Sequence, residues 1–320
     1  MTFILAILTL VLFLIGILRM WTLVLERQAE TSVPRIGKTC PVPDGSIHYV
    51  DLGATDKPVL VILHGLAGQL QHGSYALTDQ LSDEFRIILL DRPGCGYSTR
   101  DSAANASLTE QAWMVWAFLD KIGVENPTLV GHSLGGALAL QMALDRPQAT
   151  GGIALLAPVT RPVTKVADLF KPLMVTRPWL RACIGNVLSG PVGKFTADKV
   201  LQQAFDPELC PQDFMIRGGA MLGLRPKGFI SASEDLMMMP DAMQALSARY
   251  TAPFPVPGGV LYGLDDAVLP EVDHGRPMAD YGLLYETLPG RGHMLPMLAP
   301  RECAAFIRKV QALATPRAAI

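Results

Sequence analysis

The sequence has few charged residues and no arrangement of cysteines or basic residues that assigns a function. Only 18% of the 320 residues are charged and the net charge is −2, so the composition does not favour nucleic-acid binding. The five cysteines stand singly and match no zinc, redox or disulfide spacing. The phosphate-binding patterns G-x-x-x-x-G-K-[ST] and G-x-G-x-x-G do not occur. We therefore expect neither a metal nor a cofactor.

One long hydrophobic run opens the sequence. Residues 1–18 carry no charge, and the run extends to Leu25. At about 1.5 Å per residue, a helix of this length crosses a hydrocarbon core of about 30 Å. A cleaved signal peptide is the alternative, but no basic residue precedes the run and no convincing cleavage site follows it. We expect a retained single-pass anchor over residues 1–25 and a polar linker over residues 26–44.

The basic residues in and next to the anchor all lie on the C-terminal side of the uncharged run, residues 1–18. They are Arg19, Arg27, Arg35 and Lys38. By the positive-inside rule, this distribution places the body of the protein on the cytoplasmic side of the membrane.

The body, residues 45–320, alternates short apolar runs with stretches of helical periodicity. The expected strands are residues 46–51, 59–64, 85–91, 128–132, 153–158, 260–263 and 284–289. The expected helices are residues 74–81, 108–122, 134–144 and 300–313. Apolar strands separated by helices predict an α/β fold whose mostly parallel sheet is covered by helices on both faces.

A segment from about residue 159 to residue 257 interrupts this alternation. It has no convincing strand, and it holds seven of the 14 methionines. We expect a helical insertion between two strands of the sheet. Because methionine fills irregular gaps, the run EDLMMMPDAM fits ordinary packing, with an adaptable apolar wall of a lid as the alternative.

A serine between two glycines marks the best candidate for a nucleophile. In GHSLGG, Ser133 lies between Gly131 and Gly135, directly after an apolar strand and before a helix. A sharp strand-to-helix bend of the form G-x-S-x-G presents a serine for catalysis. A serine alcohol also needs a base, a group that orients the base, and donors for the developing oxyanion.

Three later or neighbouring loops supply those groups. His293 follows the last expected strand in a glycine-rich loop, which is where open parallel sheets place their chemistry. The preceding strand ends at two adjacent carboxylates, Asp265 and Asp266, of which only one can meet the histidine. The loop HGLAG follows a buried strand, so the backbone N–H groups of Leu66 and Leu134 form the expected oxyanion pair.

In this order, VILHGLAG, LLDRPGCGYS, LVGHSLGGALAL, YGLDDAVLP and LPGRGHM resemble the α/β-hydrolase fold over about residues 45–315. More narrowly, the sequence resembles bacterial esterase and lipase-like members with an N-terminal membrane segment. The resemblance implies Ser133 as nucleophile and His293 as base. In the family pattern G-x-x-D-x-x-x-P the acid is the fourth residue, which favours Asp266 over Asp265. It also implies a structural role for the DRPGCGYS turn.

The expected activity is hydrolysis of a carboxylic ester with a hydrophobic acyl group. A serine at the bend argues against dehalogenases and epoxide hydrolases of this fold, which carry an aspartate there. Thioester, amide and carbon–carbon bond hydrolysis use the same three residues and stay open, as does a haloperoxidase-like side activity. The alternative from another class is a non-catalytic binding or accessory protein with a hydrolase fold. The expected partners are a small apolar ester and the membrane.

Overall fold

The structure is a computed structural model that describes residues 1–314. The strands are β1 (Lys38–Val42), β2 (Gly45–Leu52), β3 (Val59–Leu63), β4 (Arg86–Leu90), β5 (Thr99–Arg100), β6 (Thr128–His132), β7 (Gly152–Leu156), β8 (Gly258–Gly263) and β9 (Leu284–Leu288). The helices are α1 (Thr2–Ser32), α2 (Gln71–Ser74), α3 (Leu108–Lys121), α4 (Leu134–Asp145), α5 (Pro178–Val187), α6 (Ser189–Phe205), α7 (Phe214–Arg217), α8 (Pro226–Ser247), α9 (Glu271–His274), α10 (Leu295–Leu298) and α11 (Pro300–Ala314). Short 3₁₀ helices span Thr78–Gln80, Ala103–Ala106, Pro147–Ala149, Asp168–Leu173, Ala220–Leu224 and Arg276–Tyr281.

The strands form one mostly parallel sheet, as expected. Its order is β1-β2-β4-β3-β6-β7-β8-β9, with β5 paired to β2. The six strands from β4 to β9 along this path are parallel, and only the pairs that involve β2 are antiparallel. The central strands are continuous apolar runs because helices such as α4 and α11 pack against them. The carboxyl ends of these parallel strands meet at one edge of the sheet, where the candidate site lies.

One expected helix is wrong, and two strands were not expected. The helix expected over residues 74–81 is broken into α2 and a 3₁₀ turn, in which Gln80 and Leu81 bond back only three residues. The spacing of Leu77 and Leu81 did reflect burial, since both are at most 1% exposed. However, a single turn of chain is enough to bury both leucines. Strands β1 and β5 were not expected, because both are short and lie at the margin of the sheet.

Between β7 and β8 the described chain contains helices and no strand. This insertion, called the cap below, spans residues 157–257 and includes α5, α6, α7 and α8. Buried ion pairs hold α8 to the body: Asp235 lies 3.0 Å from Arg92 and 2.6 Å from Arg100. The methionines of α8 are mainly packing, since Met239 and Met243 are buried and only Met238 is exposed.

Helix α1 continues well past the apolar run, and this contradicts the expected linker over residues 26–44. The helix ends at Ser32, and β1 occupies residues 38–42. Leu25, Ala29 and Val33 are buried, and α1 packs against α5, α6 and the 3₁₀ helix Ala220–Leu224 of the cap. Four-residue spacing puts Leu25 and Ala29 on one helical face, and Val33 directly follows the helix. The polar residues between Leu25 and Ala29 therefore face outward on an ordered element.

The N-terminal part of α1 is exposed and strongly apolar. Among the described residues, α1 is the one helix long and apolar enough to cross a membrane, with a mean hydropathy of 2.7 over an 18-residue window of which no part is buried. Length and composition alone support this description.

Candidate active site

The bend at Ser133 has the backbone geometry that its flanking glycines allow. Ser133 has φ 54° and ψ −121°, a conformation that costs free energy for a residue with a side chain. A Cβ added at Gly131 would lie 2.4 Å from the carbonyl oxygen of Gly135, and one added at Gly135 would lie 2.2 Å from the carbonyl oxygen of Leu63. No side chain fits at either position, so the two glycines permit the strained bend that presents Ser133.

The structure brings His293 to Asp266. Nδ1 of His293 lies 2.8 Å from Oδ2 of Asp266, and both side chains are at most 5% exposed. The other carboxylate oxygen, Oδ1, accepts the backbone N–H groups of Val268 at 2.9 Å and Leu269 at 2.8 Å. These bonds fix the carboxylate, which in turn orients the imidazole. Asp265 is exposed and does not reach the histidine in this arrangement.

Ser133 and His293 line one cavity of about 230 Å³. Its walls are mostly apolar and come largely from the cap. They include Phe170, Val200, Leu201, Phe214, Leu224 and Met294. A cavity lined by a serine and a histidine and otherwise by mostly apolar residues suits a hydrophobic group whose reactive carbon meets the serine.

The two residues expected to stabilise an oxyanion lie beside Ser133. Leu66 and Leu134 line a small cavity of about 40 Å³ together with the serine. The loop that carries Leu66 touches the bend, because a Cβ added at Gly65 would lie 3.0 Å from Cβ of Ser133. Backbone donors on both sides of a nucleophile are the arrangement that stabilises a tetrahedral intermediate.

Arg92 holds the Leu66 loop in place, a role that sequence reasoning missed. Its Nε donates to the carbonyl oxygen of His64 at 2.9 Å, and its Nη2 donates to that of Gly65 at 3.2 Å. The side chain is fully buried and its charge is balanced by Asp235 of α8 at 3.0 Å. The only signal in the sequence was an arginine within the turn DRPGCGYS, which carries no information about these distant partners.

Buried neutral histidines surround the site. Burial lowers the pKa of His64 and His132 well below the usual value, and it lowers the pKa of His72 to about 4. Within the described part of the chain, Nδ1 of His72 and Nδ1 of His132 have no hydrogen-bond partner. These rings therefore add no positive charge beside His293 at neutral pH.

His132, the residue before Ser133, lies against His293. Its ring centroid lies 4.9 Å from that of His293, and its Nε2 lies 3.0 Å from the carbonyl oxygen of His293. A neutral His132 with the proton on Nε2 donates to that carbonyl and supports the His293 loop.

No group of three or more His, Cys, Asp or Glu side chains suited to a metal ion occurs among residues 1–314. The chemistry that this arrangement supports is proton transfer from a serine to a histidine with backbone stabilisation of an oxyanion. It requires only the residues described above.

Parts of this chain are similar in sequence to known proteins. Residues 58–182 match the family model of the α/β hydrolase fold. An acetyltransferase component of an acetoin cleaving system from Cupriavidus necator is 38% identical over 35% of this chain and 29% of its own length. A magnesium-chelatase 30 kDa subunit from Rhodobacter capsulatus is 39% identical over 31% of this chain and 34% of its own length. The chain thus matches only about a third of the length of these curated relatives.

Solved structures are similar over most of the chain. An α/β hydrolase fold protein from Burkholderia ambifaria has a TM-score of 0.71 at 22% identity, and the match covers 85% of this chain and 97% of the other. A bacterial membrane phospholipase A has a TM-score of 0.69 at 20% identity, and the match covers 99% of both chains. At these identities the likeness shows the fold. Together with the family-model match over residues 58–182, it shows that this chain has the α/β-hydrolase fold.

Proposed function

We propose that the protein is a serine hydrolase that cleaves a carboxylic ester with a hydrophobic acyl group. Ser133 is the nucleophile, His293 is the general base and acid, and Asp266 orients the imidazole. The proposal depends above all on one observation, the 2.8 Å contact between His293 and Asp266 beside a serine in a strained bend. The hydrolase fold of the chain is consistent with it.

The proposed reaction proceeds through an acyl-enzyme. His293 takes the proton of the Ser133 hydroxyl as Oγ attacks the ester carbonyl carbon, and the N–H groups of Leu66 and Leu134 bind the oxyanion. The imidazolium then gives its proton to the leaving alcohol. A water molecule, deprotonated by His293, attacks the acyl-enzyme, and the carboxylic acid leaves while Ser133 regains its proton.

The substrate preference follows from the cavity. Its volume of about 230 Å³ and its apolar walls suit an aliphatic acyl group better than a charged one. Thioesters, amides and carbon–carbon bonds are alternative substrates for the same three residues. A non-catalytic accessory role is the second candidate function; the observation behind it is that one relative over part of the chain is named as a subunit of a larger enzyme, magnesium chelatase.

We also propose that α1 anchors the protein in a membrane as a single pass with the catalytic body on the cytoplasmic side. The exposed apolar stretch of α1 supports anchoring, and the basic residues that follow it support this orientation. Extraction of membrane fractions with alkaline carbonate tests the anchor: the full-length protein should stay in the membrane fraction. Addition of protease to intact spheroplasts tests the orientation: a cytoplasmic body should be protected from cleavage.

Covalent labelling with a fluorophosphonate tests the activated serine. We expect the wild type to be labelled, Ser133→Ala to be unlabelled, and the control Ser247→Ala on the surface of α8 to be labelled like the wild type. Labelling that persists in Ser133→Ala would exclude Ser133 as the nucleophile. A folded wild type that neither reacts nor hydrolyses esters would favour the accessory role.

A further inference from the structure

We propose that an exposed face of the cap lies in the headgroup region of the same bilayer that α1 spans. This face, called the cap surface, consists of Trp179, Leu188, Val192 and Phe195. The inference rests on the proposed anchoring and ester hydrolysis. It adds a second contact between the protein and the membrane, and apolar esters reach the site through this contact. The occupant is a lipid bilayer with anionic headgroups.

The cap surface is apolar and open to solvent in the isolated chain. Phe195 is 78% exposed, Trp179 is 65% exposed and Val192 is 53% exposed. Single exposed apolar residues are ordinary, but several on neighbouring elements mark an interaction surface. Here they lie on two consecutive helices, α5 and α6, which pack against each other and against α1.

The cap surface is continuous with the exposed surface of α1. The ring of Trp21 on α1 meets the ring of Phe195 edge to face, with centroids 5.8 Å apart. Trp21 lies three residues after the end of the uncharged run at Leu18. Aromatic side chains at the end of a membrane-spanning helix favour the membrane–water interface, so Phe195 lies at the same depth.

A second pair of contacts fixes this depth independently. Arg19, the first charged residue of α1, donates from Nη1 to the carbonyl oxygen of Asn186 at 3.1 Å. The hydroxyl of Thr22 donates to the carbonyl oxygen of Val187, also at 3.1 Å. Because Arg19 marks the end of the uncharged run, the C-terminal end of α5 lies level with the membrane boundary.

The charges around the cap surface suit anionic lipids. Arg177, Lys194 and Lys199 are exposed on and beside α5 and α6, and Asp198 is the exposed acidic residue among them. An apolar face flanked by basic side chains is typical of helices that lie in the plane of a membrane interface. A protein partner would need no such combination of aromatic residues, basic residues and an adjacent membrane-length helix.

Helix α6 connects the cap surface to the candidate site. Val192 and Phe195 are on its outer side, while Gly193, Ala197 and Val200 on its inner side line the cavity that contains Ser133. One helix, about 10 Å across, therefore separates the bilayer from the cavity. An acyl ester dissolved in the membrane would reach Ser133 without crossing bulk water.

Fluorescence quenching in the full-length protein tests the location of the cap surface. The protein is reconstituted in vesicles of phosphatidylcholine and phosphatidylglycerol whose acyl chains are brominated near the headgroup. We expect Trp179→Phe to remove a large part of the quenchable emission. The matched control is Trp113→Phe, which removes a tryptophan that is 42% exposed on α3 of the body and should leave the quenchable emission unchanged.

Quenching that is equal in wild type and Trp179→Phe would overturn the proposal. Shielding of Trp179 from a water-soluble quencher, with no quenching by lipid bromines, would show that a second copy or another protein covers the surface instead. That result would also overturn it. Neither measurement depends on enzymatic activity, so failure here is distinct from failure of the proposed hydrolysis.

Activity on two substrates tests the consequence for catalysis. We expect Phe195→Glu and Val192→Glu to lower turnover of a long-chain ester in vesicles at least fivefold and to leave turnover of a water-soluble acetate ester unchanged. The control Leu313→Glu changes an exposed leucine on α11 (56% exposed) and should affect neither substrate. Full turnover of the vesicle ester by both cap variants would contradict the proposal. Loss on both substrates would show that the cap surface acts on the site itself and not through the membrane.

Discussion

Replacing Asp266 by asparagine tests the proposed catalytic arrangement most directly. The carboxylate has two distinct duties, since Oδ2 accepts from Nδ1 of His293 while Oδ1 accepts the N–H groups of Val268 and Leu269. In Asp266→Asn the amide oxygen must keep the Oδ1 position, because the amide NH₂ there would face two donors. Reversing the amide would cost about 1 kcal/mol for each of the two lost bonds, and more for the donors left unpaired.

The NH₂ group of the asparagine therefore faces Nδ1 of His293. It can only donate, so the neutral imidazole must accept at Nδ1 and carry its proton on Nε2. Such an imidazole cannot take the proton of Ser133. The wrong tautomer of the catalytic histidine lowers kcat by about 10⁴, which corresponds to a loss of roughly 5.4 kcal/mol of transition-state stabilisation.

The assay is steady-state hydrolysis of a p-nitrophenyl ester, with thermal denaturation as the check on folding. We expect Asp266→Asn to lose about four orders of magnitude in kcat. The matched control is Asp265→Asn, whose side chain is exposed and which we expect to change kcat less than twofold. Retention of a tenth of the activity by a folded Asp266→Asn, or an equal loss in both variants, would refute the assignment of Asp266.

Three further predictions concern the cap, the buried histidines and α1. Asp235→Asn should lower kcat by about 10 to 10², and kcat/KM in parallel, because Arg92 loses its counter-charge and holds the Leu66 loop less firmly. Complete removal of one oxyanion donor costs about 10² to 10³ in rate, so a loosened loop should cost less. Unchanged activity would contradict the link between Asp235 and the Leu66 loop. The folded-state pKa of His72 is about 4, below its usual 6.5, so its contribution to stability is complete above pH 6.5 and is lost as pH falls toward 4. The free energy of unfolding should fall by about 1.6 kcal/mol between pH 6.5 and pH 5 from this group alone. An equally steep slope in His72→Gln would contradict this. Deleting residues 1–18 should release a folded protein from the membrane. Deleting residues 1–30 should in addition lower the melting temperature, because burial of a leucine such as Leu25 contributes about 1.5–3 kcal/mol. Equal melting temperatures of the two truncated proteins would show that α1 does not stabilise the cap.

The parallel sheet was predictable from the sequence because each central strand is a continuous apolar run. A strand buried on both faces needs such a run, and helices must separate the strands. The ordered N-terminal region was harder to predict. Residues after Leu25 are mostly polar, and the packed positions Ala29 and Val33 stand four residues apart within that polar stretch. Only the position of the cap shows which face of this helix is buried.

The same limit applies to the candidate site. Ser133, Asp266 and His293 each follow a strand, so chain order and the rule that parallel strands end at one edge were sufficient to nominate them. Arg92 has no such positional signal. Its partners, the carbonyl oxygens of the Leu66 loop and the carboxylate of Asp235, come from segments that only the fold brings together.

The two parts of the cap are attached to the body by different means, and this difference bears on how the site works. Helix α8 is held by buried charges, with Asp235 between Arg92 and Arg100. Breaking such a pair leaves an uncompensated charge in the interior, at a cost of several kcal/mol. Helices α5 and α6 pack against α1, and α5 also packs against α8, where the buried Arg181 donates from Nε to Oγ of Ser233 at 3.0 Å. Trp179 on α5 and Phe195 on α6 are exposed. Through Arg92, α8 therefore supports the Leu66 loop. In the function that we propose, the part of the cap next to α1 is the wall through which a membrane-borne ester would pass.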